Sequence, residues 1–154
     1  MATSTVVVRL VANDEERDAC YRVRETVFVE EQGVPPWEEL DAYDETADHF
    51  LAEVDGAVVG TARLIAKEGF AKIGRVAVLK EHRGKGIGRD LMILTMKAGF
   101  ARFPRLVLEA QVQVISFYEQ LGFIAEGDVY LDAGIEHRLM TNGQPSTVSP
   151  AKGS

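Results

Sequence analysis

The sequence predicts an α/β chain of the α+β kind: a mostly antiparallel sheet of about seven strands that contains one parallel βαβ unit. Three observations carry this expectation. Short β-branched runs recur along the 154 residues, and two of them meet at Asp55-Gly56, a strong hairpin pair. Stretches with helical spacing interrupt those runs. One of them separates Ala71 to Leu79 from Arg105 to Ala110, the layout of a parallel crossover.

The elements follow in order. Thr5 to Val11 is β-branched and reads as a strand. Asn13 followed by Glu16 is a loosened capping box, and a helix runs from there to about Glu31, with Ala19, Val23 and Val27 four apart. Gly33, Pro35 and Pro36 stop it. Val34 to Ala47 is acidic, holds the one tryptophan and reads as a loop or a short broken helix. His49 to Val54 and Ala57 to Ala66 are strands, Lys67 to Phe70 is a turn, and Ala71 to Leu79 is the next strand. Ile87 to Phe103 is a helix ended by Pro104. Arg105 to Ala110 is a short apolar strand. Val114, Phe117, Tyr118 and Leu121 mark a further helix closed by Gly122. Phe123 to Leu131 and Ile135 to Met140 form a last hairpin around Asp132 to Gly134. One domain over residues 1–141 is expected, with 142–154, rich in Ser, Pro and Gly, as a disordered tail.

Composition narrows the class. With 46% hydrophobic and 27% charged residues the chain has the profile of a globular protein, and no apolar run reaches the length of a membrane span. The start lacks the layout of a secretory signal, and Cys20 is the only cysteine, so a cytoplasmic setting is expected, with no disulfide and no metal site. A net charge of -7 disfavours nucleic acid as a partner. That charge is unevenly spread. Between Arg24 and Arg63 stand eleven carboxylates and no lysine or arginine, whereas Lys80, Arg83, Lys85 and Arg89 crowd one short stretch. The acidic stretch reads either as a surface that attracts a cationic amine or as a solvated acidic face. Trp37 within it could stack on a cation or plug the segment onto the core.

The crowded stretch, His82 to Leu91, reads HRGKGIGRDL. Gly84, Gly86 and Gly88 alternate there at the mouth of a helix, where free N–H groups and the positive dipole end favour an anion. Turns needing positive φ explain one such glycine well, but three beside three cations point to a phosphate or pyrophosphate. A P-loop is excluded for want of GxxxxGK followed by Ser or Thr. The dinucleotide fingerprint fails at its sixth position, which is Arg89, although Glu109 stands roughly where a ribose-binding acid would.

GRVAVLKEHRGKGIGRDLM resembles the signature of the GNAT superfamily of acetyl-coenzyme A-dependent N-acyltransferases, Arg/Gln-x-x-Gly-x-Gly/Ala between a strand and a helix. FYEQLGF, Phe117 to Phe123, is similar to the superfamily's second hallmark, and VFVEEQGVP, DAYDETADHF and GIEHRLM resemble its YjcF- and ElaA-like branch. The resemblance implies a GNAT-like sheet with helices on both faces, and an N-acetyltransferase that uses acetyl-CoA, without metal, on a small-molecule or lysine amine. It implies that Val76, Ala77 and Val78 hold the pantetheine arm. It places the pyrophosphate on Arg83, Gly84, Lys85, Gly86, Ile87, Gly88 and Arg89, and sets Gln111 where relatives often have a cofactor-touching Asn. Tyr118 matches the tyrosine that protonates the departing thiolate and also touches the cofactor; on spacing alone it reads as a core aromatic. Glu31, His49, Glu109 and His137 are the candidate bases, and water is a further route. Many relatives dimerise through their C-terminal strands, which makes a homodimer the implied assembly. A non-catalytic acyl-CoA sensor and a dinucleotide-binding protein are the alternatives.

Overall fold

The computed structural model describes residues 5–143. Seven strands hydrogen-bond in the order β1-β2-β3-β4-β5-β7-β6, a mixed sheet with one parallel pair, as the sequence predicts. They are β1 Val6–Leu10, β2 Asp48–Val54, β3 Ala57–Ala66, β4 Ala71–Val78, β5 Arg105–Gln111, β6 Ile124–Asp132 and β7 Ile135–Gly143. The helices are α1 Asp14–Arg24, α2 Pro36–Glu39, α3 Ile87–Phe100 and α4 Ile115–Glu119. Within the described residues the chain divides into two compact units. The first runs to Ile65 and resumes over Ile73–Met96; the second comprises Ala66–Lys72 and the residues from Lys97 onward.

In the first unit, Asn13 caps α1 by accepting from Glu16 N–H at 2.9 Å. Glu16 reaches back to Ala12 N–H at 2.8 Å, one residue before the cap, so the capping box is displaced by one position. Past Arg24 the helix widens into a π-type turn, Glu25–Glu31. It closes with Val34 N–H on Phe28 O (2.9 Å) and Gly33 N–H on Val29 O (3.1 Å), a Schellman-like end that needs the positive φ of Gly33, +77°. Val23 and Val27 on this helix pack with Ala77 of β4, and Phe28, Val58 and Leu79 border them. Burying each valine contributes about 1.5–3 kcal/mol. The Asp55-Gly56 hairpin forms with φ of +51° and +87°. The acidic segment carries α2 and a single 3-10 turn, Ala42–Glu45.

In the second unit, β5 pairs antiparallel with β7, and β6 with β7. The last hairpin turns at Ala133 and Gly134, φ +52° and +77°. β7 extends through Asn142 and Gly143, because both continue the ladder opposite Leu106 and Arg105. That corrects the expected start of a disordered tail at residue 142; residues 144–154 lie outside the described residues. Among the described residues no helix is long and apolar enough to cross a membrane, and no group of three His, Cys, Asp or Glu could hold a metal.

Candidate functional site

The glycine stretch leaves β4 through a 3-10 turn, Lys80–His82, and enters α3 at Ile87. Arg83 N–H still reaches Lys80 O at 3.3 Å, and the next backbone bond is Asp90 N–H to Gly86 O at 3.0 Å. Between them, the N–H groups of residues 84 to 89 have no backbone partner among the described residues. Gly84 and Gly86 have φ of +77° and +84°, and a Cβ on either would meet nothing within 4 Å. Two of the three glycines therefore have a conformational reason. Gly88 has none, since it lies in the first turn of α3 without positive φ. What results is a run of unpaired donors beside exposed Lys85 and Arg89, an arrangement that favours an anion.

Arg83 folds back over the strand end. Its Nε donates to Val78 O at 2.8 Å and its Nη2 meets Glu31 Oε1 at 2.5 Å. The structure thus brings Glu31 to the loop. Val76 and Val78 are half-buried, and Ala77 is buried against α1.

One residue before Val76, the backbone does something the sequence does not announce. Arg75 sits in the left-handed region, φ +50°, while its neighbour Gly74 does not. For a residue with a Cβ this costs about 1–2 kcal/mol. Arg75 Nη2 donates to Glu39 O at 2.8 Å and lies 3.3 Å from Asp41 Oδ2, and its Nε lies 3.1 Å from the Glu39 carboxylate. Glu39 in turn accepts from Arg24 Nε at 2.9 Å, and Arg24 is fully buried. Arg24 also grips both oxygens of Asp44, at 2.7 and 3.0 Å, and Arg63 bridges Asp41 and Asp44 at 2.8 and 2.9 Å. Three arginines thus face three carboxylates, and burial without this pairing would cost several kcal/mol per ion. Burial works against the charge on both Arg24 and Asp44. Their mutual bonds prevail, raising the Arg24 pKa and holding Asp44 well below the usual carboxylate range.

His49 belongs to this network. Its Nε2 donates to Asp44 O at 2.9 Å and its Nδ1 is buried without a partner. Burial lowers its pKa, so the ring stays neutral, and at 5% exposure it offers no face to a soluble amine. Trp37 is 80% exposed, so it does not plug the segment onto the core.

In the second unit, Tyr118 of α4 packs edge-on against Phe117 and Phe123, with ring centroids at 5.0 and 6.2 Å. Burial pushes its pKa up to about 12, and its hydroxyl makes no hydrogen bond among the described residues. Glu109 and Gln111 lie on β5, and Gln111 stands opposite His137 of β7. Glu109 is bonded to Lys72 Nζ at 2.5 Å and Tyr130 Oη at 2.5 Å. Burial opposes ionisation of Glu109, but these two bonds win and its pKa falls. Tyr130 stacks on His137, ring centroids 6.0 Å apart. His137 Nδ1 donates to Ile135 O at 2.8 Å, which leaves Nε2 as the basic nitrogen. Glu109, Gln111 and His137 are thus neighbours, while His49 lies in the arginine network, apart from Glu31. Sequence reasoning missed Arg75, Tyr130 and Lys72, none of which bears a motif; the left-handed backbone at Arg75 carries no Gly, Asn or Asp to announce it.

Comparison with known proteins identifies the family. The Acetyltransferase (GNAT) family matches residues 13–123, a span that includes the glycine stretch and Tyr118. The Bacillus subtilis (strain 168) protein described as uncharacterized N-acetyltransferase YjcF is 36% identical over 133 residues, covering 85% of this chain and 95% of that protein. The structure of an acyl-CoA N-acyltransferase from Pseudomonas aeruginosa superposes with a TM-score of 0.80 at 29% identity, covering 92% of this chain and 100% of that one. Escherichia coli ElaA gives 0.79 at 27% identity, covering 91% and 99%.

Proposed function

Since the chain belongs to the GNAT acetyltransferase family and is an acyltransferase, we propose that it moves an acetyl group from acetyl-CoA to a primary amine by direct attack in a ternary complex. The observation that carries the donor half of this reading is the run of unpaired amides from residue 84 to 89, set among cations at the start of α3. Residues 83 to 89 hold the diphosphate, backbone groups of Val76 and Val78 hold the pantetheine arm beside Ala77, and Gln111 touches the cofactor. Bound acetyl-CoA would supply the acetyl group as a thioester and leave as the free thiol.

The chemistry asks three things of the protein. An N–H of β4 polarises the thioester carbonyl as the amine nitrogen bonds to its carbon. Tyr118 gives its proton to the sulfur as the carbon–sulfur bond breaks; the phenol is protonated at neutral pH, and its unengaged hydroxyl supports the role. The surplus proton on the amine leaves through a base or water. Of the four candidates, His137 has the most available lone pair, at Nε2. Glu31 and Glu109 each already hold a cation, and His49 is enclosed.

A cationic acceptor is the finer part of the proposal. Three of the eleven carboxylates are spent on buried arginines, which weakens the argument from charge count. Glu25, Glu30, Glu38 and Glu45 remain exposed on the same segment and support an acceptor with positive charge. Release of free thiol from acetyl-CoA, followed across a panel of cationic, neutral and acidic amines at low and high salt, tests this. Turnover that favours cationic amines and weakens with salt is expected. Preference for an acidic amine with a salt-independent KM contradicts the acceptor assignment. Tight acetyl-CoA binding with no turnover on any amine replaces the enzyme by the sensor.

A further inference from the structure

The left-handed residue in β4 is Arg75 and not the glycine beside it. Local sequence preference would put a positive φ on Gly74, so something outside the strand chooses the position. The guanidinium supplies the reason. It reaches the Glu39 carbonyl at 2.8 Å, the Glu39 carboxylate at 3.1 Å and Asp41 at 3.3 Å. Those partners cannot follow the strand, because Glu39 is fixed by fully buried Arg24 and Asp41 by Arg63. The turn at Arg75 directly precedes Val76.

We propose that Arg75 is a positioning residue for acyl transfer: Glu39 and Asp41 hold its guanidinium, and this tether fixes the turn in β4 that orients the backbone of Val76 to Val78. The proposal rests on the reading that this backbone engages the acyl donor. It also gives the acidic segment a task other than meeting the acceptor, since Glu39 and Asp41 act on the donor side through one arginine.

The test compares Arg75→Ala, which loses the tether and disfavours positive φ, with Arg75→Gly, which loses the tether but accepts positive φ freely. Two readouts are taken at a temperature where each variant is folded: kcat and KM with acetyl-CoA, and amide hydrogen exchange at Val76 to Val78 in the protein alone. Arg75→Ala is expected to lower kcat at least tenfold and to speed exchange at those amides at least tenfold. Arg75→Gly is expected to stay within about threefold of the original kcat, a rescue that a purely structural role would not produce. Full kcat in Arg75→Ala overturns the proposal, and so does equal impairment of both variants. Should Arg75→Ala not fold, Arg75→Lys carries the test, because an ammonium cannot reproduce the fork of contacts; a kcat lowered at least threefold supports the proposal and an unchanged kcat overturns it. If the unaltered protein acetylates no amine, the exchange data still decide on Arg75, and only the functional reading falls.

Discussion

Tyr118 shows how much one atom can decide. Its ring is held by Phe117 and Phe123, so removing the hydroxyl leaves the packing intact. That hydroxyl makes no hydrogen bond among the described residues, and its pKa is pushed up to about 12 by burial. Tyr118→Phe is therefore expected to keep its melting temperature within about a degree while kcat falls on the order of a hundredfold, the usual worth of a general acid. Activity and calorimetry on the same sample check it; a variant with full kcat removes Tyr118 from the mechanism. The raised pKa also means that ionisation of this phenol sets no alkaline limb below about pH 11, so a pH–rate profile falling earlier reports another group. Helical spacing could not have shown any of this. An aromatic at i, i+3 and i+4 is ordinary packing, and the chemical reading of Tyr118 came with the resemblance of FYEQLGF, not with its periodicity.

At the scale of elements, the glycine loop separates two effects that usually travel together. Gly84 and Gly86 have positive φ, so replacing either strains the backbone whatever the ligand. Gly88 lies within α3, where alanine is the better helix former by up to about 1 kcal/mol. Gly88→Ala is thus expected to hold or raise the melting temperature and yet weaken acetyl-CoA binding at least tenfold, as read by calorimetric titration. Unchanged affinity would mean that no phosphate approaches that turn. Elements marked by glycine were legible beforehand for the same reason: Asp55-Gly56 and Gly33 need positive φ, and the sequence provides for it. The π-type turn over Glu25–Glu31 and the turn at Arg75 were not legible, because neither is made by a special residue. The partners of Arg75, Glu39 and Asp41, lie far from it in sequence. The acidic run was legible only in part for a related reason. Its missing cations are Arg24 and Arg63 at its two borders and Arg75 beyond, all brought in by the fold.

For the molecule as a whole, the buried charges tie stability to pH. The folded pKa of His49 lies below the usual 6.5, so the unfolded chain takes up that proton first. Its contribution is complete above about pH 6.5 and is lost as pH falls toward the folded value. Asp44 acts lower: its pKa is depressed from 3.8, so its contribution is present above about pH 4 and disappears as acid titrates the folded carboxylate. Urea midpoints measured from pH 8 to 3 are expected to fall in two stages, and His49→Gln to remove the first. Arg24→Ala is expected to cost about 3–5 kcal/mol, since it strands Glu39 and Asp44 in the interior. With a total stability of about 5–15 kcal/mol typical of a domain, that loss should show plainly in urea unfolding at pH 7. Anion binding by the glycine loop is open to a direct check by amide NMR shifts. Titration with acetyl-CoA should move the amide resonances of Gly84 to Arg89 most, with NAD and ATP at equal concentration producing far smaller changes. If those resonances stay in place while acetyl-CoA binds, the donor site lies elsewhere and the account fails.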